Sequence, residues 1–299
     1  MLEQQINEFT QYLKSIKNTS ENTVLSYKRD LMRMASFMED RGVKTVADIT
    51  EDRLLDYEKS LSEEHFAPSS ITRHNTSIKA FFRYMLENGN VEDNPAENLK
   101  SPKIEKSAPR VLTTVEIENL LSQNFGDDAK GKRDRAILEL MYATGLKTSE
   151  MISLKLSNMD LSLGCVRLLG NGKSGKDRLI PFGKKAREAL TAYLLDARNE
   201  LLDGAEDDET LFLNCSGSSM SRQGLWKLIK TYVKKAGVKS DITPFTLRHS
   251  FAVHLVDNGA DVSSVQELMG YSDSNTISRY IRKKNKTKDP YEWARVRNV

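Results

Sequence analysis

The sequence predicts a mainly α-helical chain in two domains, the second carrying a small β-hairpin or sheet, an α+β class overall. Three observations carry that reading. Apolar residues recur at intervals of three and four over most of the chain, the period of a helix with one face in a core. Two strand-like runs, Cys165–Leu169 and Arg178–Pro181, flank the glycine-rich stretch GNGKSGKD and so form a hairpin. Residues 94–110 hold three prolines and no apolar period, a linker between a first domain of residues 1–93 and a second of residues 111–299. A length of 299 residues suits two domains at about 150 residues each.

The elements follow in order. Ser20 can cap a helix whose apolar stripe is Val24, Tyr27, Leu31, Met34 and Met38, with Lys28, Arg29 and Arg33 off the stripe. Thr50, followed by Glu51 and Asp52, opens a second helix with Leu54, Leu55 and Leu61. After Pro68, Ser69 or Ser70 caps a third, carrying Ile71, Ile78, Phe81, Phe82, Met85 and Leu86. Its other faces offer Arg73, His74, Asn75, Lys79 and Arg83, and Asn88-Gly89 ends it. In the second domain Thr113 and Glu116 fit a capping box. A helix from about Arg133 to Tyr142 stops at Thr144-Gly145. Beyond the hairpin, helices are expected at 183–201, 221–236, 247–257, 261–269 and about 274–282, with a tail from about 281.

Composition narrows the function. Hydrophobic residues are 38% and charged residues 29%, which describes a folded globular protein. No apolar run approaches the roughly 18 residues of a membrane span, and the polar N-terminus lacks a signal-peptide stretch, so no membrane partner is expected. Two cysteines, Cys165 and Cys215, exclude a disulfide framework and suit a reducing cytoplasm. The net charge of +3 is unevenly spread: residues 1–100 hold 13 Lys/Arg against 17 Asp/Glu, the rest 32 against 25. Lys28, Arg29, Arg73 and Lys79 on consecutive helices of the first domain can together face DNA phosphates. In the helix opening at Ser221, Arg222, Gln223, Trp226, Lys227 and Lys230 lie off the core stripe of Leu225, Leu228, Ile229, Tyr232 and Val233. Arg and Gln are suited to guanine and adenine edges in a major groove. Any one of these cations also reads as ordinary solvated surface.

The order of four motifs is more specific. They are Tyr142-Ala-Thr-Gly-Leu-Lys-Thr-Ser-Glu150, the hairpin with Lys173, Thr243-Pro-Phe-Thr-Leu-Arg-His-Ser-Phe251, and Leu268-Met-Gly-Tyr-Ser-Asp273 followed by Tyr280. Over essentially the whole chain this order resembles the tyrosine recombinases, in particular the Xer and phage-integrase branch. The resemblance implies a two-domain clamp around double-stranded DNA. It implies a tyrosine that attacks a backbone phosphorus to form a 3′-phosphotyrosine, and it requires neither a metal nor a nucleotide cofactor. It further implies self-association on paired DNA sites, with a second recombinase as one form of partner.

Residue by residue, Tyr280 matches the nucleophile, 32 residues beyond Arg248, which matches a phosphate-binding arginine. Lys173 matches the hairpin lysine that protonates the leaving oxygen, with Lys176 as rival because the hairpin is about two residues longer than the pattern. Glu150 matches a supporting acid. Three positions depart from the pattern. Lys147 stands where the first motif has arginine, keeping the charge but losing the planar fork. Phe245 replaces a His or Lys and cannot move a proton, and Tyr271 replaces a His or Trp. Two readings follow: a strand-exchange enzyme, or a catalytically degenerate member that binds DNA as a repressor or architectural factor. A third, a simple helix-turn-helix regulator built on Val262 to Ile281, leaves the hairpin and the first domain without a role.

Overall fold

In the computed structural model, residues 2–102, 110–170, 177–204, 206–207, 209–238 and 242–270 are described. The chain divides into two compact units, Met1–Lys106 and Ser107–Val299. Among the described residues no helix is long and apolar enough to cross a membrane.

The described residues of the first unit form four α-helices, α1 (Leu2–Ser15), α2 (Glu21–Glu39), α3 (Glu51–Glu63) and α4 (Pro68–Glu87), with a short 3-10 turn at Val46–Asp48. Leu2, Ile6, Phe9 and Leu13 of α1 are buried at helical spacing, so its amphipathic sequence closes one side of the core. Ser20 and Thr50 cap α2 and α3 as their sequence predicts, each side chain accepting a backbone N–H one turn on. For α4 the structure corrects the expected cap. Pro68 occupies the first helical turn and Ala67 is the cap residue, so Ser69 and Ser70 lie inside the helix. His74 and Asn75, expected on the faces of α4 away from its apolar stripe, are both buried. The unit runs past residue 93, since Ala96 and Leu99 are buried in the same core.

The second unit is built on α6 (Ala129–Thr144), which follows α5 (Thr114–Leu121). Helix α6 is buried on nearly every face, the signature of a helix central to a core. It starts four residues before Arg133, where Asp128 accepts the Gly131 N–H. After α7 (Thr148–Ser153) come β1 (Met159–Asp160), β2 (Cys165–Leu168) and β3 (Arg178–Pro181). They form an antiparallel sheet in the order β1-β2-β3, with Val166 opposite Met159 on one side and Ile180 on the other. The expected helix over 183–201 is two, α8 (Lys184–Asp196) and α9 (Arg198–Leu202), broken at Ala197. Then come α10 (Arg222–Lys235), α11 (Pro244–Asp257) and α12 (Val262–Met269). Helix α11 begins three residues before Leu247 because Thr243 caps it and Pro244 fits its first turn. The expected helix at about 274–282 lies outside the described residues.

Candidate active site and DNA interface

The second unit brings three cations from three elements to one place, the C-terminal end of α12. Helix α6 ends at Gly145, which adopts a left-handed conformation at φ 58°. A Cβ there would lie 2.5 Å from the Phe251 ring and 2.8 Å from the Met269 sulfur, so the turn passes close to α11 and α12. Two residues on, Lys147 caps α7, and Glu150 accepts the Lys147 N–H through Oε2 at 2.7 Å. Helix α11 buries Arg248 one turn from its start. One Arg248 amino group donates to the Gly145 carbonyl and the other to the Met269 carbonyl.

From the sheet, Arg178 of β3 donates through Nη1 to the Leu268 carbonyl at 3.0 Å and pairs through Nη2 with Glu150 Oε1. Lys147 Nζ donates to the Gly270 carbonyl at 3.2 Å. The carbonyls of Leu268, Met269 and Gly270 therefore accept from Arg178, Arg248 and Lys147 in turn. Such carbonyls have no partner within their own helix and carry the negative end of its dipole, which draws cations. Gly270 closes α12 at φ 61°, and a Cβ there would lie 2.7 Å from the Arg178 guanidinium.

Glu150 is the acid at this cluster. Burial holds the Lys147 ammonium below its usual range, Glu150 pulls the other way, and Arg248 and Arg178 add to the depression. A concentration of preorganised cations of this kind suits the nonbridging oxygens of a phosphodiester. Phe245 is half exposed on α11, its ring parallel to that of His249 at 6.0 Å between centroids. His249 is itself buried, and burial lowers its pKa, so it does not occupy the place of a surface proton carrier.

The remaining candidates fall in different settings. Arg222, Gln223, Trp226 and Lys227 are exposed along one side of α10, and Lys230 Nζ lies 4.8 Å from the centre of the Trp226 ring. In the first unit Arg29 is exposed and Lys28 half-buried. Arg73 Nη1 bonds both carboxylate oxygens of the buried Asp30 at 2.6 Å, and Lys79 donates to the Glu97 carbonyl at 3.2 Å. Lys173, Lys176, Tyr271 and Tyr280 lie outside the described residues. Arg178 was not among the sequence-derived candidates. Its only signal was its place in the strand leaving the glycine-rich turn.

Comparison with known proteins bears on this arrangement. The phage integrase family matches residues 110–287, and the N-terminal SAM-like domain of phage integrases matches residues 6–89. The chain belongs to the phage integrase family of tyrosine recombinases. Tyrosine recombinase XerD of Listeria innocua serovar 6a is 37% identical, over 96% of this chain and 97% of the relative. Tyrosine recombinase XerC of Herpetosiphon aurantiacus is 35% identical, over 99% and 96%. Among solved structures, the Tn1549 transposon integrase in complex with transposon right end DNA has a TM-score of 0.71 at 20% identity, covering 94% of this chain and 95% of that one. XerH site-specific recombinase bound to palindromic difH substrate has a TM-score of 0.70 at 21% identity, covering 92% and 80%. At these identities the solved structures establish the two-domain tyrosine recombinase fold.

Proposed function

We propose that this chain cuts and rejoins double-stranded DNA through a 3′-phosphotyrosine on Tyr280, the chemistry of the DNA-binding site-specific recombinase function its family carries. The Tyr280 oxygen attacks the phosphorus and the bond to the 5′-oxygen breaks. Lys173 protonates the departing 5′-oxygen, and a partner strand's 5′-hydroxyl later attacks the phosphotyrosine and restores the phosphodiester. One ester is exchanged for another, so the reading calls on no metal or nucleotide. Lys147 and Arg248 hold the nonbridging oxygens, where charge grows in the transition state, and Glu150 supports Lys147. Tyr271 lends a hydroxyl at the third motif. The observation that carries the reading is the convergence of Lys147 and Arg248 on the carbonyls at the end of α12.

Its partner is duplex DNA, bound by both units, through Lys28, Arg29, Arg73 and Lys79 of the first and Arg222, Gln223 and Lys227 of the second. On paired sites the protein assembles with further copies or with a second recombinase, in the cytoplasm. The relatives support this, being named recombinases of the XerC and XerD types, with solved neighbours bound to transposon and difH DNA. One observation favours the second reading, a DNA-binding regulator without cleavage: Phe245 presents a half-exposed hydrocarbon ring where the family pattern has a proton carrier. A suicide substrate bearing the cognate site decides between them. A covalent protein–DNA adduct supports cleavage; tight binding with no adduct gives the regulator.

A further inference from the structure

We propose that Arg178 is a positioning residue for cleavage, holding the Glu150 carboxylate so that the Lys147 ammonium stays available to a backbone phosphate. The inference rests on the proposed role of Lys147 at the scissile phosphate. Glu150 Oε1 has two cations within reach. Arg178 makes direct contact with it, whereas Lys147 Nζ stands 3.9 Å away. The Arg178 side chain is 14% exposed and that of Lys147 is 47% exposed, so solvent screens the Arg178 pair less. Arg178 cannot easily swing away, because its other amino group is held by the Leu268 carbonyl and Gly270 closes over its guanidinium without a side chain. Among the described residues Lys147 Nζ donates to one carbonyl, at Gly270, and its side chain is about half open.

Without Arg178 the balance reverses. Glu150, 18% exposed, becomes a largely buried carboxylate missing its main counter-ion. Its Oε2 already accepts the Lys147 N–H, so Oε1 has about an ångström to close before Lys147 Nζ is held at hydrogen-bond distance. A lysine locked to its own helix cap is withdrawn from substrate. Glu150 is thus a competitor for Lys147 as well as its support, and Arg178 sets which role prevails. An arginine at position 147 spreads its donors over a planar fork and can face two partners at separate nitrogens; a lysine must bring both to one nitrogen, where they compete for position. Arg178 therefore matters more in this chain because residue 147 is lysine.

The test compares wild type, Arg178→Ala, Arg178→Lys and the double variant Arg178→Ala/Glu150→Gln, all as full chains whose thermal unfolding is checked. Single-turnover adduct formation on a suicide site at saturating protein should fall about tenfold or more in Arg178→Ala, while site affinity falls only by the loss of one phosphate contact. The double variant should regain most of that loss, because a neutral amide no longer holds Lys147. A merely structural role for Arg178 predicts the opposite, since removing both partners leaves the same gap. Arg178→Lys, which cannot contact Glu150 and the Leu268 carbonyl together, should lie between, and it carries the test if the alanine variant is unfolded. If wild type forms no adduct, the cleavage reading fails, and the salt dependence of binding then tests the inference alone. Loss of the Lys147 phosphate contact reduces the slope of log affinity against log salt by about one in Arg178→Ala and not in the double variant. A folded Arg178→Ala with wild-type cleavage and slope, or a double variant no better than the single, overturns the proposal.

Discussion

In the proposed reaction, Tyr280 and Phe245 are the residues on which the chemistry turns. Replacing Tyr280 with Phe removes the attacking oxygen and little else, so DNA binding should persist within about twofold while adduct formation disappears. Adduct persisting in that variant assigns the nucleophile elsewhere. Phe245→His is a gain-of-function test, because the half-exposed ring leaves room for an imidazole at the surface of α11. A positioned proton carrier contributes about 10²-fold or more, so the variant should cleave faster by that order, read as single-turnover adduct rate. A second residue-scale effect belongs to His74 in the first unit. Its Nδ1 lies 3.0 Å from the Tyr57 hydroxyl and its Nε2 3.4 Å from Asp30, and burial, helped by Arg73 and Arg33, lowers its pKa to about 4. Between the ordinary value of 6.5 and about 4 the unfolded chain binds a proton that the folded chain refuses. Stability therefore falls as pH drops through that window, by roughly 3 kcal/mol at its lower end. Burial raises the Asp30 pKa and works in the opposite direction nearer the acid end. His249 and His254, also lowered by burial, add to the loss. His74→Gln should flatten the decline of Tm between pH 7 and 5 without abolishing it; an unchanged slope would place the His74 proton elsewhere.

Helix α10 is the element whose prediction is most specific. Arg222 and Gln223 open its exposed face and Lys227 follows one turn on. If that face lies in a major groove, Arg222→Ala should cost about 1–3 kcal/mol on the preferred site and relax selectivity at one base pair. Lys227→Ala should weaken all sequences alike and lower the salt slope by about one. Equal losses on cognate and random DNA for both variants would remove α10 from base reading. Elements were legible where local chemistry decides them: the Thr113–Glu116 capping box, the Ser20 cap and the β2–β3 pairing stand in the structure as their residues suggest. They were less legible where a neighbour intervenes. Pro68 moved the α4 cap back to Ala67, and Lys130, Gly131 and Lys132 hid the first turn of α6 by interrupting its apolar period. Strand β1, of two residues, is too short to show alternation. Long-range partners were not legible at all. Arg73, partly exposed, has as its carboxylate partner the buried Asp30, 43 positions away. Arg178 gained meaning only from Glu150 and the Leu268 carbonyl, 28 and 90 positions away.

At the scale of the whole molecule, the division into two units with separate cores is what makes a clamp workable. If the first unit meets phosphates through Lys28, Arg29, Arg73 and Lys79 and the second through Arg222 and Lys227, either unit alone makes a handful of screened contacts, which gives weak, salt-sensitive binding. Joined through the segment around residues 103–109, binding of one unit presents the second to the same duplex at an effective concentration in the millimolar range for a short connection. Affinity then approaches the product of two weak interactions, with no added contact. A protease site inserted into that segment isolates this effect, because cleavage leaves every side chain and both cores in place. At nanomolar protein the cut form should bind its site about 10²–10⁴-fold more weakly than the uncut form. Raising salt should weaken the uncut form more steeply, because both units then engage DNA phosphates at once. Equal affinity before and after cleavage would mean that one unit carries the binding alone, and the first unit would then need a role other than gripping DNA.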